Sequence, residues 1–324
     1  MEIGSFIGLD LKNSGEYYPG ETGIARLNSA RAGIYHACRL LNCNQVYIPL
    51  YLCPTVKSFL VKKGMKIDYY NINEKLEPVN FKQNSGSAVI IVNYFGIFPM
   101  NKIKNLADRF ENVIIDNSAA FYCNPIAGCY NVYSPRKFFG VPDGSYVIGS
   151  FAERYTENYK QDISSDTSLF LLKQIEHGTT AAYDERMKNE ERIDNADILR
   201  MSNLTVTLLR GIDYNGIKSK RQENYFFANQ LYKQMNLFDP DRLIETDCVP
   251  MVYPLVLEDS ELDAQLRKKQ IYVGRLWKHV LKEAGEDTFE ARLSKYLIPV
   301  PVDQRYGREE IKYVFETISD LGGR

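Results

Sequence analysis

The sequence lacks the short motifs by which several large enzyme classes are recognised. It contains no G-x-G-x-x-G dinucleotide fingerprint, no P-loop, no H-E-x-x-H zinc motif and no G-x-S-x-G nucleophile elbow. It also has no C-x-x-C pair, and its 324 residues include only three His and six Cys. We therefore expect no Cys/His metal site, and we expect the cysteines to be reduced.

An excess of charge of one sign and long apolar runs are also missing. The formal net charge is -1, from 40 basic and 41 acidic residues, so the chain lacks the positive charge that is typical of nucleic-acid-binding proteins. The apolar runs near 88–92 and 113–115 are far too short to span a bilayer. The N-terminus has no basic segment followed by a long apolar stretch. These absences predict a cytoplasmic protein with no nucleic-acid and no membrane partner.

Strand and helix patterns alternate through the first half of the chain. Apolar runs there predict strands at 45–50, 66–70, 88–94 and 112–115. The helical patterns between them predict an α/β fold, with a mostly parallel sheet and helices on both faces. Beyond residue 213 the pattern is that of a smaller α+β unit with strands at 251–257 and 271–273. We therefore predict a large domain over residues 1–212 and a small C-terminal domain over 213–324.

Polar and aromatic side chains follow the predicted strands, at the edge where open α/β sheets bind their ligands. Tyr51 and Asn93 each lie at the end of one of these strands, and Asp116 follows another. Ser29 and Ala30 stand at the start of the first predicted helix, where free backbone N–H groups suit a phosphate. These positions predict a ligand site at the carboxyl edge of the sheet.

The segment SPRKFFGVPDG at 134–144 holds Lys137 among glycine, proline and aromatic residues, whereas lysine ordinarily prefers solvated helix surfaces. Pyridoxal 5'-phosphate requires a lysine, an acid beside its ring nitrogen, a stacking ring and a phosphate-binding group. These four groups can be supplied by Lys137, Asp116, Tyr51 and Ser29. The positive charge of Arg136 disfavours the protonated form of Lys137 and so favours attack on an aldehyde. The set predicts pyridoxal phosphate as the cofactor.

In these motifs the chain resembles the fold-type-I pyridoxal-phosphate enzymes, specifically the DegT/DnrJ/EryC1/StrS sugar aminotransferases, over about residues 27–149. The similarity rests on NSAR at 28–31, IPLY at 48–51, NYFG at 93–96, IDNSAA at 115–120 and SPRKFFGVPDG at 134–144. The resemblance implies that Lys137 binds the cofactor as a Schiff base and that Asp116 pairs with the ring nitrogen. With these two as catalytic residues, the full set of candidate cofactor contacts is Ser29, Ala30, Tyr51, Asn93, Asp116, Ser134, Arg136 and Lys137.

The resemblance also implies a function. A homodimeric aminotransferase would take an amino group from glutamate or glutamine and transfer it to a nucleotide-linked keto-sugar, in polysaccharide or sugar biosynthesis. Two positions depart from the family pattern: Ala119 replaces a Gln or His, and Val132 replaces a phosphate-contacting Ser, for which Ser134 and Arg136 are the candidate substitutes. Two alternatives stay open: another reaction of the same cofactor, such as elimination, and a homologue without transaminase activity that acts as a binding protein.

Overall fold

The computed structural model describes residues 6–20 and 22–322. Its main sheet is formed by Ile24–Leu27 (β1), Gln45–Pro49 (β2), Lys66–Ile72 (β3), Pro78–Val79 (β4), Ala88–Val92 (β5), Val113–Asn117 (β6), Tyr130–Tyr133 (β7) and Ser145–Ile148 (β8). The order across the sheet is β1-β8-β7-β6-β5-β2-β3-β4. Strands β2, β3, β5, β6 and β7 are parallel, whereas β4 and β8 run antiparallel to their neighbours. The predicted α/β fold with a mostly parallel sheet is confirmed.

The α-helices within the described residues are Ala30–Leu40 (α1), Pro54–Lys62 (α2), Met100–Ala107 (α3), Leu169–Asn195 (α4), Asn203–Arg210 (α5), Tyr214–Tyr232 (α6), Leu262–Lys268 (α7), Val280–Glu283 (α8), Phe289–Tyr296 (α9) and Arg308–Asp320 (α10). The long helix α4 changes direction at Gly178, where φ is 80°. None of these helices is long and apolar enough to cross a membrane.

The centre of the main sheet is covered on both faces. Every residue of β5 and β6 is buried, which is typical of parallel strands between two layers of helices. Helix α1 packs closely on one face, because a Cβ atom at Gly33 would lie 3.0 Å from both Val132 Cγ1 and Val147 Cγ2. Val132 and Val147 therefore point towards α1, and this contact defines the face of the sheet that carries α1.

The C-terminal part contains a second, two-stranded sheet. Val252–Val256 (β9) pairs in antiparallel register with Leu297–Pro301 (β10). The strand predicted at 271–273 is wrong: that segment is irregular, and β9 pairs with β10, which the sequence did not predict. The division into domains at residues 212 and 213, between α5 and α6, stays a prediction.

Candidate active site

Asp116 and the first turn of α1 lie at the same edge and on the same face of the main sheet. Strand β1 is parallel to β7, because both run antiparallel to β8, so the carboxyl ends of β1, β6 and β7 meet at one edge. Asp116 pairs in register with Val132, which points towards α1. Residues paired in register point to the same face, so Asp116 also points to the face that carries α1.

The sequence placed Asp116 after a strand, whereas the structure places it inside β6. Its side chain is buried, and its Oδ1 accepts a hydrogen bond from the backbone N–H of Ser118 at 2.9 Å. Within residues 6–20 and 22–322, its other carboxylate oxygen has no hydrogen-bond or ion-pair partner. Asp116 is therefore fixed through one oxygen, while the other can accept a proton donor such as a pyridinium nitrogen.

Lys137 ends a 3-10 turn, Pro135–Lys137, which begins two residues after β7. The turn is closed by the backbone N–H of Phe138, which donates to the carbonyl of Pro135 at 2.9 Å. Lys137 is exposed, and its ammonium group has no partner among the described residues. The neighbouring Ser134 is buried. The structure thus presents the lysine on a short, hydrogen-bonded turn at the carboxyl edge of the sheet.

Arg136 has a partner that the sequence did not indicate. Its Nη2 lies 2.5 Å from Oε1 of Glu190, a residue of α4. This ion pair engages Nη2 of Arg136 and leaves its Nη1 and Nε without a partner among the described residues. The role of Arg136 in place of the family's serine stays a prediction.

The carbonyl of Phe138, directly after Lys137, is held by two side chains of the C-terminal part. Gln304 Nε2 donates to this oxygen at 2.7 Å, and Arg221 Nη2 donates to it at 3.5 Å. Arg221 is 2% exposed, and its guanidinium lies 4.5 Å from the centre of the Phe138 ring. Burial lowers the pKa of Arg221 to about 10. We call Arg221, Gln304 and the Phe138 carbonyl the Phe138 clamp.

The sequence analysis missed both clamp side chains. Gln304 lies in DQRYG at 303–307, a short polar run that the sequence alone slightly favours as a solvated turn. Arg221 lies in an ordinary helical pattern, in which nothing marks a buried arginine.

The start of α1 contains buried polar groups without partners. Ser29 is the N-cap residue, and its Oγ accepts from the N–H of Ala32 at 3.4 Å. Contacts among the described residues leave the backbone N–H groups of Ala30 and Arg31 without an acceptor. Arg31 is 8% exposed; its Nη1 lies 2.7 Å from Oδ1 of Asp194, whereas its buried Nη2 has no partner. Arg31 was not among the predicted site residues.

Asn93 points to the face opposite to Asp116. Its Nδ2 donates to Oδ1 of Asn117 at 3.0 Å, and Asn117 follows Asp116 in β6, so their side chains alternate between faces. Asn93 Oδ1 and Asn117 Nδ2 are buried without partners. Asn93 also lines a cavity of about 100 Å³. Its contact with a cofactor stays a prediction, and the side chain does not approach from the side of Asp116.

Tyr51 does not present a free ring. It is completely buried, with its ring centre 4.8 Å from that of Trp277 and 5.8 Å from that of Tyr94. Burial raises its pKa above the usual range, and its hydroxyl has no partner. A stacking ring needs one open face, so the predicted stacking role of Tyr51 does not fit this arrangement unless Trp277 moves.

The site fits pyridoxal phosphate in three of the four required groups. Asp116 offers a buried carboxylate, Lys137 offers an unpaired amine, and the start of α1 offers unpaired N–H donors, including the buried Nη2 of Arg31. The stacking ring is the group that does not fit. An acid, an amine and an anion-binding helix start at one sheet edge are the groups that bind this cofactor through its ring nitrogen, aldehyde and phosphate.

This fold is that of the fold-type-I pyridoxal-phosphate aminotransferases. A sugar aminotransferase from Micromonospora echinospora has 16% identity and a TM-score of 0.61, over 92% of this chain and 87% of that one. A DegT/DnrJ/EryC1/StrS aminotransferase from Brucella abortus has 13% identity and a TM-score of 0.62, over 93% and 86%. NtdA from Bacillus subtilis, solved with bound cofactor PMP, has 13% identity and a TM-score of 0.62, over 92% and 73%.

These similarities are structural. No family model matches the sequence, and no curated protein does. The resemblance that the sequence motifs indicated is thus confirmed at the level of the fold. Activity and substrate belong to the proposal below.

Gly96, in the segment after β5, is in close contact with two other parts of the chain. Its φ is +73°, and a Cβ atom there would lie 2.5 Å from the Ala119 carbonyl oxygen and 2.9 Å from that of Val249. We expect Gly96→Ala to lower the free energy of unfolding by about 2–4 kcal/mol, from the left-handed backbone and the overlap with two rigid carbonyls. Urea unfolding measures this loss.

Gly86→Ala is the matched control for Gly96→Ala. Gly86 has a φ of +77°, but a Cβ atom there would meet nothing within 4 Å. We expect Gly86→Ala to lower the free energy of unfolding by only about 1–2 kcal/mol, the cost of the backbone strain alone. Equal losses in the two variants would show that the close approach of Ala119 and Val249 to Gly96 contributes nothing.

Proposed function

We propose that this protein is a pyridoxal-phosphate-dependent aminotransferase that transfers an amino group from glutamate or glutamine to a nucleotide-linked keto-sugar. One observation carries the proposal: Asp116, the Lys137 turn and the first turn of α1 all lie at the carboxyl edge of the main sheet, with Asp116 on the face that carries α1. The shared fold of solved sugar aminotransferases supports it.

The bound cofactor would supply an electron-accepting ring that stabilises negative charge at the α-carbon of an amino acid. Asp116 would keep its ring nitrogen protonated, since a buried carboxylate stabilises a positive charge beside it. The N–H groups of Ala30 and Arg31 would bind its phosphate.

Lys137 would have two tasks. Its Nζ would anchor the cofactor, and after displacement by the amino donor it would carry the proton that leaves the donor α-carbon. The exposed position of Lys137 and the absence of an ion-pair partner among the described residues leave Nζ available for both.

The test of the cofactor and its anchor is spectroscopic and chemical. Purified protein is mixed with pyridoxal phosphate, its visible spectrum is recorded before and after borohydride, and the labelled peptide is identified by mass spectrometry. We expect a visible band that borohydride removes and a stable label on Lys137, because borohydride reduces a Schiff base to a secondary amine. No band, or a label scattered over surface lysines such as Lys160, would rule out the aminotransferase proposal.

The sugar substrate and the homodimer rest on further support. The neighbour from Micromonospora echinospora is a sugar aminotransferase, which favours a keto-sugar as the amino acceptor. Leu172 and Ile175 in the first half of α4 are 63% and 80% exposed, and a second copy of the chain would remove this apolar surface from water. Sedimentation of the purified protein tests the dimer, and a panel of nucleotide-linked keto-sugars tests the acceptor.

A second candidate function is a binding protein that keeps the fold without transamination. Two observations favour it: the ring of Tyr51 is enclosed, and Ala119 lacks the polar side chain found at this position in the family. If Lys137→Ala left the biological role of the protein intact, this candidate would replace the aminotransferase.

A further inference from the structure

Arg31 is a buried arginine with an incomplete set of partners at the start of α1. It is 8% exposed, and its guanidinium is paired through Nη1 with Asp194, while Nη2 is enclosed without a partner. An enclosed N–H donor without an acceptor is unfavourable by about 1–3 kcal/mol. An acceptor from outside the chain, such as water or an anion, would satisfy this group, and its place at the start of α1 distinguishes Arg31 from Arg192, whose Nη2 is also buried without a partner.

The direction of the side chain places this donor near other free donors. In an α-helix the Cα–Cβ bonds tilt towards the N-terminus, so the side chain of Arg31, the second residue of α1, leaves the helix in the direction of the first turn, and its Nη1 reaches Asp194 at 2.7 Å. There the backbone N–H groups of Ala30 and Arg31 have no acceptor among the described residues. Two backbone donors and one guanidinium around a helix N-terminus match the geometry of a phosphate.

The partner of Arg31 can be displaced. Asp194 is 50% exposed and lies one residue before the end of α4. A half-exposed carboxylate is solvated by water after it leaves an ion pair, whereas the buried guanidinium of Arg31 needs another anion in its place. A phosphate dianion would then exchange with Asp194 on the guanidinium.

We propose that Arg31 is the phosphate-binding side chain of this protein and that Asp194 is its exchangeable counter-ion. The inference rests on the proposed function, because it assigns the phosphate of pyridoxal phosphate to this position. It also accounts for a departure from the family pattern. Val132 stands where the family has a phosphate-contacting serine, and Arg136, one candidate substitute, is held by Glu190. Arg31 would supply a side-chain contact in place of the missing serine.

The experiment compares ligands with and without the phosphate. The affinities of the cofactor-free protein for pyridoxal phosphate and for pyridoxal are measured by calorimetry, and their ratio isolates the contribution of the phosphate. In Arg31→Gln we expect this ratio to fall by about tenfold or more, the loss of one charge-assisted, bidentate contact. In Asp194→Asn we expect the ratio to rise by up to about fivefold, because a competing negative charge is removed.

Arg192→Gln is the matched control. Arg192 also has one ion pair, to Asp162 at 2.6 Å, and a buried Nη2 without a partner, but it lies in the last turns of α4, and its Nε donates to Thr167 Oγ1 at 2.9 Å, so it is not part of the first turn of α1. The ratio of the two affinities in Arg192→Gln should equal that in the wild type. A loss of the same size in Arg192→Gln, an unchanged ratio in Arg31→Gln, or a fall in Asp194→Asn would each overturn the proposal.

A second measurement separates this inference from the proposed function. The unfolding temperature is recorded in inorganic phosphate and in chloride of equal ionic strength. Phosphate should raise the unfolding temperature of the wild type and of Arg192→Gln but not that of Arg31→Gln.

If pyridoxal phosphate gives no reducible bond at Lys137 while inorganic phosphate still stabilises the protein through Arg31, the aminotransferase proposal fails and the phosphate site stands. No stabilisation of the wild type by phosphate overturns the site. If Arg31→Gln does not fold, Asp194→Asn decides, because its exposed side chain leaves the core intact.

Discussion

Replacing Lys137 by alanine is expected to slow amino-group transfer by between about 10² and 10⁴-fold, the usual contribution of a general acid–base group. Nζ of Lys137 is the one amine that the proposal places at the reacting carbon, and its removal also removes the covalent anchor. The measurement is the conversion of bound pyridoxal phosphate to its amine form by excess glutamate or glutamine, followed by absorbance in a single turnover.

The Lys137→Ala variant should fold normally, because the side chain is exposed and makes no contact that the fold needs. Circular dichroism and the unfolding temperature check this. Lys160→Ala is the matched control, since Lys160 is also an exposed lysine but lies outside the proposed site. Amino transfer by Lys137→Ala at the wild-type rate would contradict the role of Lys137. An equal loss in Lys160→Ala would show that the assay responds to surface charge.

Replacing Asp116 by asparagine is the second change with a large expected effect. We expect the transfer rate to fall by roughly 10²–10³-fold, as on loss of a preorganised electrostatic partner. A neutral amide cannot hold the ring nitrogen in its protonated form, and an unprotonated ring is a weaker electron acceptor. The same single-turnover assay measures the change.

The asparagine variant keeps the local structure, which makes the result specific. Asn Oδ1 can accept the hydrogen bond that Oδ1 of Asp116 now accepts from Ser118 at 2.9 Å. The reducible bond at Lys137 should therefore still form. Asp108→Asn, at the exposed end of α3, is the control for loss of one carboxylate. Unchanged transfer in Asp116→Asn would contradict the assignment of Asp116 to the ring nitrogen.

The central strands were predictable because their sequences are short apolar runs, which are typical of buried strands. AVIIV in β5 and VIIDN in β6 are buried along their whole length, and the start of α1 follows from a serine in the N-cap position. The strand predictions failed where contacts between distant parts of the chain determine which segments pair. The segment at 271–273 has strand composition but no partner, whereas Leu297–Pro301 pairs with β9 despite two prolines in five residues.

The candidate site was predictable to the extent that it depends on strand ends. Asp116 and Lys137 lie at the carboxyl edge because parallel strands end there, and sequence order alone indicates this. The environment of a side chain depends on residues distant in sequence. The enclosure of Tyr51 by Trp277, the pairing of Arg136 with Glu190 and the partly unpaired Arg31 all involve contacts that no local pattern encodes.

The Phe138 clamp has a consequence for synthesis of the chain. The Phe138 carbonyl and its donor Gln304 are 166 residues apart in sequence. A nascent chain that has completed β1 to β8 therefore already has the strands that set Asp116 in place. The backbone beside Lys137 still lacks the hydrogen bond from Gln304 until that residue has left the ribosome. The order of synthesis thus leaves the backbone beside Lys137 incompletely hydrogen-bonded until the C-terminal part has folded.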